Sequence, residues 1–238
     1  MRRCAPLYLG RLGYAEATAF QDRLARRLKD GDGEDGEHLL LLEHPPVITL
    51  GRNARPADVL LDPAALETRG VRVERTNRGG QVTYHGPGQL VGYPILNLGP
   101  DRRDVGRYLR DLEEVLIRTL GRFGIAAARQ PGLTGVWAGG EKIAALGVHL
   151  SRWVTTHGFA LNVSTDLSRF GLIVPCGLRD RGVTSMGRIL GSAPGLEEVA
   201  RALVPEFGAV FGRSMAAPAA APADAPIAAP PWTAAVAS

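Results

Sequence analysis

The sequence has few cysteines and no long hydrophobic run. Its two cysteines, Cys4 and Cys176, cannot build the disulfide framework of a secreted domain, so we expect a reducing, cytoplasmic location. The most apolar stretch, residues 38–50, is interrupted at residues 43–46 and is shorter than the roughly 20 residues of a bilayer-spanning helix. No apolar block typical of a secretory signal precedes Arg11. Membrane proteins and disulfide-rich secreted proteins are therefore excluded.

Lysine is also scarce. Lys29 and Lys142 are the only lysines among 28 basic residues, which exceed the 24 acidic residues by four. This charge would suit nucleic acid, acidic proteins or acidic small molecules, but no basic run contains interleaved aromatic residues, so nucleic-acid binding is not expected. Lysine can release a proton near neutral pH, whereas arginine cannot. Lys142 is therefore either a functional amine or an ordinary remnant in an arginine-rich chain.

The rest of the composition predicts one folded domain and a tail. Hydrophobic residues make up 45% of the chain, which is enough for a packed core. We expect the folded domain to span residues 1–214. Residues 215–238 are mostly Ala and Pro, have little to bury, and are predicted to be disordered.

Hydrophobic periodicity predicts a mixture of helices and strands. Helices are expected at 14–29, 63–69, 104–123 and 196–211, the last kinked at Pro205. Strands are expected at 7–10, 39–42, 47–50, 71–75, 90–98, 125–128, 135–138, 142–152 and 156–163. The order is not a regular strand–helix alternation, and the sequence has no P-loop motif. These features favour an α/β (α+β) fold with a mixed or antiparallel sheet flanked by helices, rather than a Rossmann fold.

The glycine-rich segment RGGQVTYHGPGQL, residues 78–90, is the most distinctive motif. Its four glycines and one proline make a poor strand, but they let backbone approach a ligand and leave N–H groups available to it. Polar side chains accompany these glycines, namely Arg78, Gln81, Thr83, Tyr84, His85 and Gln89. We interpret the segment as a substrate-binding loop; the alternative is a glycine-rich hairpin with incidental polar residues.

Cys176 and Lys142 form a possible catalytic pair. Cys176 lies between Pro175 and Gly177, which favours an exposed turn, although most lone cysteines are buried apolar residues. An unperturbed thiol is only about 3% thiolate at pH 7 and needs activation. Lys142 enters a strand that should be largely buried, which lowers the pKa of an amine. As a cation it would lower the thiol pKa; as a neutral amine it would remove a proton from a nucleophile. Cys4, near a terminus expected to fray, is interpreted as inert.

Three histidines are rival bases. His85 belongs to the glycine-rich segment, whereas His149 shares a predicted strand face with Ile143 and is expected to be a core residue. His157 begins the HGFALNV strand. Their spacing does not match a zinc site, so no metal or other cofactor is expected. Asn162 and Asp166 could orient backbone or substrate, but local capping of a short helix or turn is the preferred interpretation. No GxSxG nucleophile motif is present.

Several motifs together resemble the lipoyl(octanoyl) transferase family. They are RGGQVTYHGPGQLVGYPIL, LLLLEHPPVITLGR, EKIAALGV, HGFALNV and IVPCG. The resemblance runs in order from about Leu7 to Phe211, and the lysine and cysteine both fall where the family has them. It implies the fold of lipoate and biotin protein ligases, with residues 1–214 as the acyltransferase catalytic domain.

The resemblance implies a reaction and its residues. The family transfers an octanoyl or lipoyl group from acyl carrier protein to a lysine on the lipoyl domains of 2-oxoacid dehydrogenase E2 subunits and on the glycine cleavage H protein. Cys176 would carry the acyl group as a thioester, with Lys142 activating it. The acyl slot would be lined by Arg78, Gly79, Gly80, Gln81, Val82, Thr83, Tyr84, His85, Ala145, Leu146, Gly147, Gly158, Phe159 and Ala160. Backbone N–H groups there would hold the thioester oxygen, and Arg52, Arg55 and Arg75 would attract acidic partners.

Two other functions remain open. An ATP-dependent lipoate or biotin-type protein ligase would share the fold but would not need Cys176, and the sequence has no GRGR-type loop of biotin ligases. A non-catalytic module that binds acyl-carrier or lipoyl proteins would need neither Cys176 nor Lys142.

Overall fold

The computed structural model describes residues 1–31, 36–174, 182–216 and 225–226. A mixed sheet contains eight strands: β1 (Arg2–Arg11), β2 (Glu37–Glu43), β6 (Gln89–Ile95), β7 (Ala128–Gln130), β8 (Leu133–Ala138), β9 (Glu141–Ser151), β10 (Val154–Asn162) and β11 (Arg213–Met215). Their order in the sheet is β11-β1-β2-β6-β10-β9-β8-β7. β1 pairs in parallel with β2 and β11, and the remaining neighbours are antiparallel. The predicted mixed sheet is confirmed.

A smaller sheet lies beside the large one. It contains β3 (Val47–Leu50), flanked by β4 (Arg72–Arg75) in parallel and β5 (Val82–His85) in antiparallel orientation. The expectation that residues 78–90 would avoid strand structure is therefore wrong. The Val-Thr-Tyr run has high strand propensity and forms β5, while the glycines occupy the connections before and after it.

Helices cover both faces of the large sheet. α1 (Tyr14–Asp30) packs on one face, and α3 (Val105–Arg122) and α5 (Leu196–Phe211) pack together on the other. The shorter helices are α2 (Pro63–Thr68) and α4 (Met186–Leu190), with a 3₁₀ helix at Leu167–Leu172. Alternate residues of β2 pack on opposite faces of the sheet. Leu39 and Leu41 lie in the core under α3 and α5, and Leu40 and Leu42 lie in the core under α1.

The bounds of three helices agree closely with those predicted from the sequence. Asp62 caps α2 by accepting a hydrogen bond from Ala65 N at 2.8 Å, and Asp104 caps α3 through Arg107 N at 2.9 Å. α5 has the predicted bounds and continues through Pro205. The strand predicted at 125–128 is wrong, because β7 begins only at Ala128.

The start of the chain is held firmly in the sheet. Cys4 lies in β1, opposite Glu37 and Met215, and is completely buried, so the expected frayed terminus is wrong. Arg213 in β11 donates to the buried carboxylate of Glu37 at 2.5 Å, an ion pair that joins β11 to β2 across β1. Burial raises the pKa of the Cys4 thiol, which agrees with its interpretation as inert.

The predicted tail lies mostly outside the described residues. β11 ends at Met215, one residue past the expected domain boundary, and Ala225 packs, half-buried, against the core beneath α1. Within the part of the chain that the structure describes, no helix is long and apolar enough to span a membrane.

Candidate acyl-binding and proton-transfer site

A cavity of about 680 Å³ lies where the small sheet meets β9 and β10 of the large sheet. Such a volume is typical of small-ligand sites. Every residue of the predicted acyl slot except Tyr84 contributes to its wall, as does Lys142. The wall also includes apolar side chains from α3 and β8, among them Val105, Leu109 and Leu133. The two halves of the predicted slot, far apart in sequence, are thus brought to one cavity.

Glycines allow the glycine-rich segment to touch β9. Gly79 N donates to Val148 O at 2.9 Å, and a Cβ on Gly147 would lie 3.0 Å from Gly79 O. A Cβ on Gly51 would lie only 2.4 Å from Gly80 O. Side chains at these positions would push the segment away from the cavity wall. Because Gly79 N–H is already used, only other donors of the segment are available to a ligand.

Arg78 locks the same segment to β3. Its guanidinium donates to Thr49 O at 2.7 Å, to Thr49 Oγ1 at 2.8 Å and to Gly79 O at 3.0 Å. Burial lowers the pKa of Arg78 from its ordinary value near 12.5, which still leaves the group protonated. Arg78 therefore contributes a fixed positive charge to the cavity wall.

Tyr84 is the one residue of the predicted acyl slot that does not line this cavity. Successive residues of a strand point to opposite faces, so Thr83 and His85 border the cavity while Tyr84 packs in the core of the small sheet. The Tyr84 ring contacts Phe170, with centroids 5.7 Å apart. It also covers Gly86, where a Cβ would meet the tyrosine oxygen at 2.2 Å.

Lys142 is fixed at both its backbone and its side chain. Its N–H donates to Gly182 O and its carbonyl accepts from Thr184 N, both at 3.0 Å. Its Nζ lies 4.9 Å from the centroid of the buried Trp137 ring, a cation–π geometry. Gly135, with φ +135°, makes room for the side chain, because a Cβ there would lie 3.1 Å from Lys142 Cε.

Cys176 lies outside the described residues, so its predicted contact with Lys142 remains a prediction. The described chain stops at Val174, whose N–H donates to Asp58 O at 2.8 Å. It resumes at Gly182, six residues after Cys176 in the sequence, and Gly182 is hydrogen bonded to Lys142.

Two of the candidate histidine bases are buried at the cavity. His85 Nδ1 lies 2.7 Å from Gln89 Oε1, and His157 Nε2 lies 2.7 Å from Asn77 Oδ1. Burial lowers the pKa of both rings to about 3, so both are neutral near pH 7. A ring with so low a pKa is a weak general base, although it can still accept a hydrogen bond.

The other polar predictions have mixed outcomes. His149 is half-buried and does not line the cavity, so its expected place in the core is wrong. Asp166 caps the 3₁₀ helix by accepting from Ser168 N at 3.1 Å, as the local interpretation predicted. Asn162, interpreted in the same way, instead lines the cavity.

Sequence reasoning missed an aromatic cluster at the cavity. Tyr14, at the start of α1, stacks on His85 with centroids 6.2 Å apart, and Tyr93 donates to His44 Nε2 at 2.7 Å. His44 Nδ1 lies 2.7 Å from a backbone carbonyl, which fixes its proton on Nδ1. These residues come from a helix start, a loop and a strand, with no common spacing that could have indicated the cluster. Across residues 1–31, 36–174, 182–216 and 225–226, no group of His, Cys, Asp and Glu side chains could hold a metal ion.

Comparison with known proteins gives a consistent picture. The lipoyl protein ligase A/B catalytic domain model matches residues 13–208. A protein of Solibacter usitatus named octanoyltransferase is 57% identical over 215 residues, covering 90% of this chain and 96% of its own. One of the same name from Chloroflexus aurantiacus is 54% identical over 214 residues, covering 89% and 95%.

Solved structures share the fold at low sequence identity. The bipartite lipoate protein ligase of Thermoplasma acidophilum superposes with a TM-score of 0.74 at 18% identity, covering 92% of this chain and 87% of its own. Lipoate-protein ligase A bound with ATP gives 0.73 at 19% identity, covering 91% and 88%. Biotin protein ligase of Aquifex aeolicus gives 0.55 at 14% identity, covering 87% and 70%. At these identities the likeness concerns the fold alone.

Proposed function

The chain belongs to the lipoyl protein ligase A/B catalytic domain family and acts as an octanoyltransferase in protein lipoylation, and we propose that it works through a thioester on Cys176, with Lys142 moving the protons. The observation that carries this mechanism is the placement of Lys142. It is the only lysine lining the cavity in the described part of the chain, and its backbone is bonded to the segment that follows Cys176.

The cavity suits an eight-carbon chain. Leu109, Leu146 and Phe159 supply apolar wall, and each buried methylene stabilises the complex by about 0.8 kcal/mol. An octanoyl chain would therefore gain several kcal/mol from burial. Gly147 and Gly158 face each other in the β9–β10 ladder, so no side chain from this pair narrows the slot.

The first half-reaction would load the enzyme. The Cys176 thiol gives its proton to the Lys142 amine, and the thiolate attacks the carbonyl carbon of the octanoyl thioester on the donor. The bond from that carbon to the donor sulfur breaks, and the leaving thiolate takes the proton from Lys142. One thioester replaces another, so the step is nearly isoenergetic and needs no ATP.

The second half-reaction would release the product. The acceptor amine, in its neutral form, attacks the Cys176 thioester, and Lys142 takes the proton that the nitrogen loses as the amide forms. The carbon–sulfur bond breaks, and the proton passes from Lys142 to the Cys176 thiolate. Conversion of a thioester to an amide is downhill, which makes the overall transfer favourable.

The partners follow from this reaction. We propose octanoyl-acyl carrier protein as the donor, and lipoyl domains of 2-oxoacid dehydrogenase E2 subunits and the glycine cleavage H protein as acceptors, in a reducing cytoplasm. Arg52 and Arg75 are exposed, and Arg52 also lines the cavity, so both could attract acidic partners. Arg55 is exposed but already paired with Asp58 at 2.8 Å, which makes it a weaker candidate.

Mass spectrometry tests the intermediate directly. The protein is incubated with octanoyl-acyl carrier protein, without ATP, and digested. We expect one hydroxylamine-sensitive octanoyl group on Cys176, absent from Cys176→Ala and retained in the matched variant Cys4→Ala. Transfer that requires ATP and survives Cys176→Ala would instead identify an ATP-dependent ligase. Donor binding without adduct or transfer would indicate a non-catalytic module.

A further inference from the structure

An unbroken series of hydrogen bonds connects the backbone around Lys142 to the ring of His85. Thr184 N donates to Lys142 O at 3.0 Å, and Thr184 O accepts from Asn162 Nδ2 at 3.0 Å. Asn162 Oδ1 then accepts from Gln89 Nε2 at 2.9 Å, and Gln89 Oε1 contacts His85 Nδ1 at 2.7 Å. The series crosses from β9 through β10 and β6 to β5.

The series is buried in the cavity wall. His85, Gln89, Asn162 and Thr184 are all less than a tenth exposed, and the first three line the cavity. Buried amides are costly unless each of their polar atoms finds a partner. Here each amide uses both its oxygen and its nitrogen within the series, so the side chains are held in one arrangement.

The direction of every hydrogen bond is fixed from one end. Thr184 O is a carbonyl and can only accept, so Asn162 must present its NH₂ there and its oxygen to Gln89. Gln89 must in turn present its NH₂ to Asn162, an orientation that its second bond, to Tyr84 O at 3.3 Å, also requires. Gln89 Oε1 then faces His85, and His85 must carry its proton on Nδ1.

We infer that Gln89 and Asn162 are positioning residues of the transfer site, which hold the Lys142 backbone in place and fix His85 as the tautomer with an unprotonated Nε2. His85 then offers the cavity a neutral hydrogen-bond acceptor, suited to an N–H or S–H group of a substrate. The inference rests on the proposed function for its reaction. Its structural half, the tautomer, can be measured without any reaction.

The tautomer is tested on the unmodified protein. Selective ¹⁵N labelling of histidine, with each ring assigned through a His→Gln variant, distinguishes a protonated from an unprotonated ring nitrogen by chemical shift. We expect His85 to show a protonated Nδ1 and an unprotonated Nε2. The opposite pattern would overturn the inference whatever the protein catalyses.

The positioning role is tested with Asn162→Asp, which keeps the size of the side chain and removes the NH₂ that Thr184 O requires. Misplacement of reacting groups by about 1 Å can lower a rate about 100-fold. We expect kcat for octanoyl transfer to fall 10- to 100-fold, with KM for the donor changed less than threefold and the His85 spectrum altered. Gln89→Glu removes the NH₂ that donates to Asn162 Oδ1, and this variant should show the same loss of kcat and the same change in the His85 spectrum.

Asn97→Asp is the matched control. Asn97 lies outside the cavity wall, and its oxygen accepts from Gly99 N at 2.9 Å, a bond that a carboxylate also makes. It should transfer octanoyl at the unmodified rate. If Asn162→Asp and Gln89→Glu keep their kcat, or lose activity only in proportion to folded protein with the His85 spectrum unchanged, the inference is wrong. Failure of the unmodified protein to transfer octanoyl would instead refute the proposed function.

Discussion

Gly135 offers a direct test of whether the position of Lys142 matters for octanoyl transfer. A Cβ at Gly135 would lie 2.9 Å from Ala144 O and 3.1 Å from Lys142 Cε. The backbone cannot easily move away, because Gly135 N donates at 2.9 Å to the fully buried carboxylate of Glu113. Gly135→Ala should therefore displace the lysine side chain.

The loss of stability expected for Gly135→Ala can be compared with that for a substitution at another glycine of the same hairpin. Gly139 has φ +58°, and a Cβ there would meet no atom within 4 Å, so Gly139→Ala carries only the left-handed backbone cost of about 1–2 kcal/mol. Gly135 has φ +135°, a strained region that costs about 1–3 kcal/mol for other residues. Overpacking adds about 1–3 kcal/mol, so Gly135→Ala should lower the free energy of unfolding by about 2–6 kcal/mol.

Two measurements separate stability from catalysis. In a protein of this size, the unfolding temperature should fall by about 2–4 °C for each kcal/mol of stability lost. Both variants should therefore remain folded at low temperature. Under those conditions Gly139→Ala should transfer octanoyl within about twofold of the unmodified protein, and Gly135→Ala should be about 10- to 100-fold slower. Equal rates for the two variants, once corrected for folded fraction, would refute the claim that the position of Lys142 controls the reaction.

Three further predictions concern individual side chains. Lys142→Arg should abolish octanoyl transfer with little change in unfolding temperature, because arginine keeps a positive charge but cannot release its proton near neutral pH. The control variant Lys29→Arg should be active. An active Lys142→Arg would show that Lys142 does not transfer protons in the reaction. Iodoacetamide at neutral pH should label Cys176 in the native protein and reach Cys4 only after denaturation, because Cys4 is buried with a raised pKa; peptide mapping checks this, and native labelling of Cys4 would contradict it. Arg213→Met should lower the free energy of unfolding, measured by urea denaturation, by about 3 kcal/mol, because it removes one partner of the buried ion pair with Glu37. A change below about 1 kcal/mol would contradict that reasoning.

The sequence predicted the fold elements well where one local cause decides the structure. Asp62 and Asp104 indicated two helix starts, and the four consecutive leucines at 39–42 indicated the strand that forms β2. The prediction failed at residues 82–85, where strand propensity and pairing with β3 outweigh the surrounding glycines. It also failed at Cys4, because the partner strand β11 comes from the far end of the chain.

The candidate site was predictable as a set of motifs but not as a geometry. The glycine-rich segment and the β9–β10 residues were recognised separately. The structure shows why both contain glycine, because a Cβ on Gly79 would lie 3.3 Å from Val148 O and one on Gly147 would lie 3.0 Å from Gly79 O. The hydrogen bonds of Asn162 could not be predicted, because its partners, Gln89 and Thr184, are 73 and 22 residues away in sequence. Long-range pairs of buried amides leave no periodic signal in a single sequence.

The cavity wall contains one of the few lysines of this arginine-rich chain. Two basic side chains of its wall are Arg78 and Lys142. The Arg78 guanidinium is committed to oxygen acceptors on Thr49 and Gly79, contacts that hold it charged and immobile. The Lys142 Nζ lies 4.9 Å from the centroid of the Trp137 ring, and an aromatic face attracts an ammonium group. A chain that uses arginine almost everywhere thus retains a lysine at the one described cavity position where the proposed reaction requires a proton to leave and return.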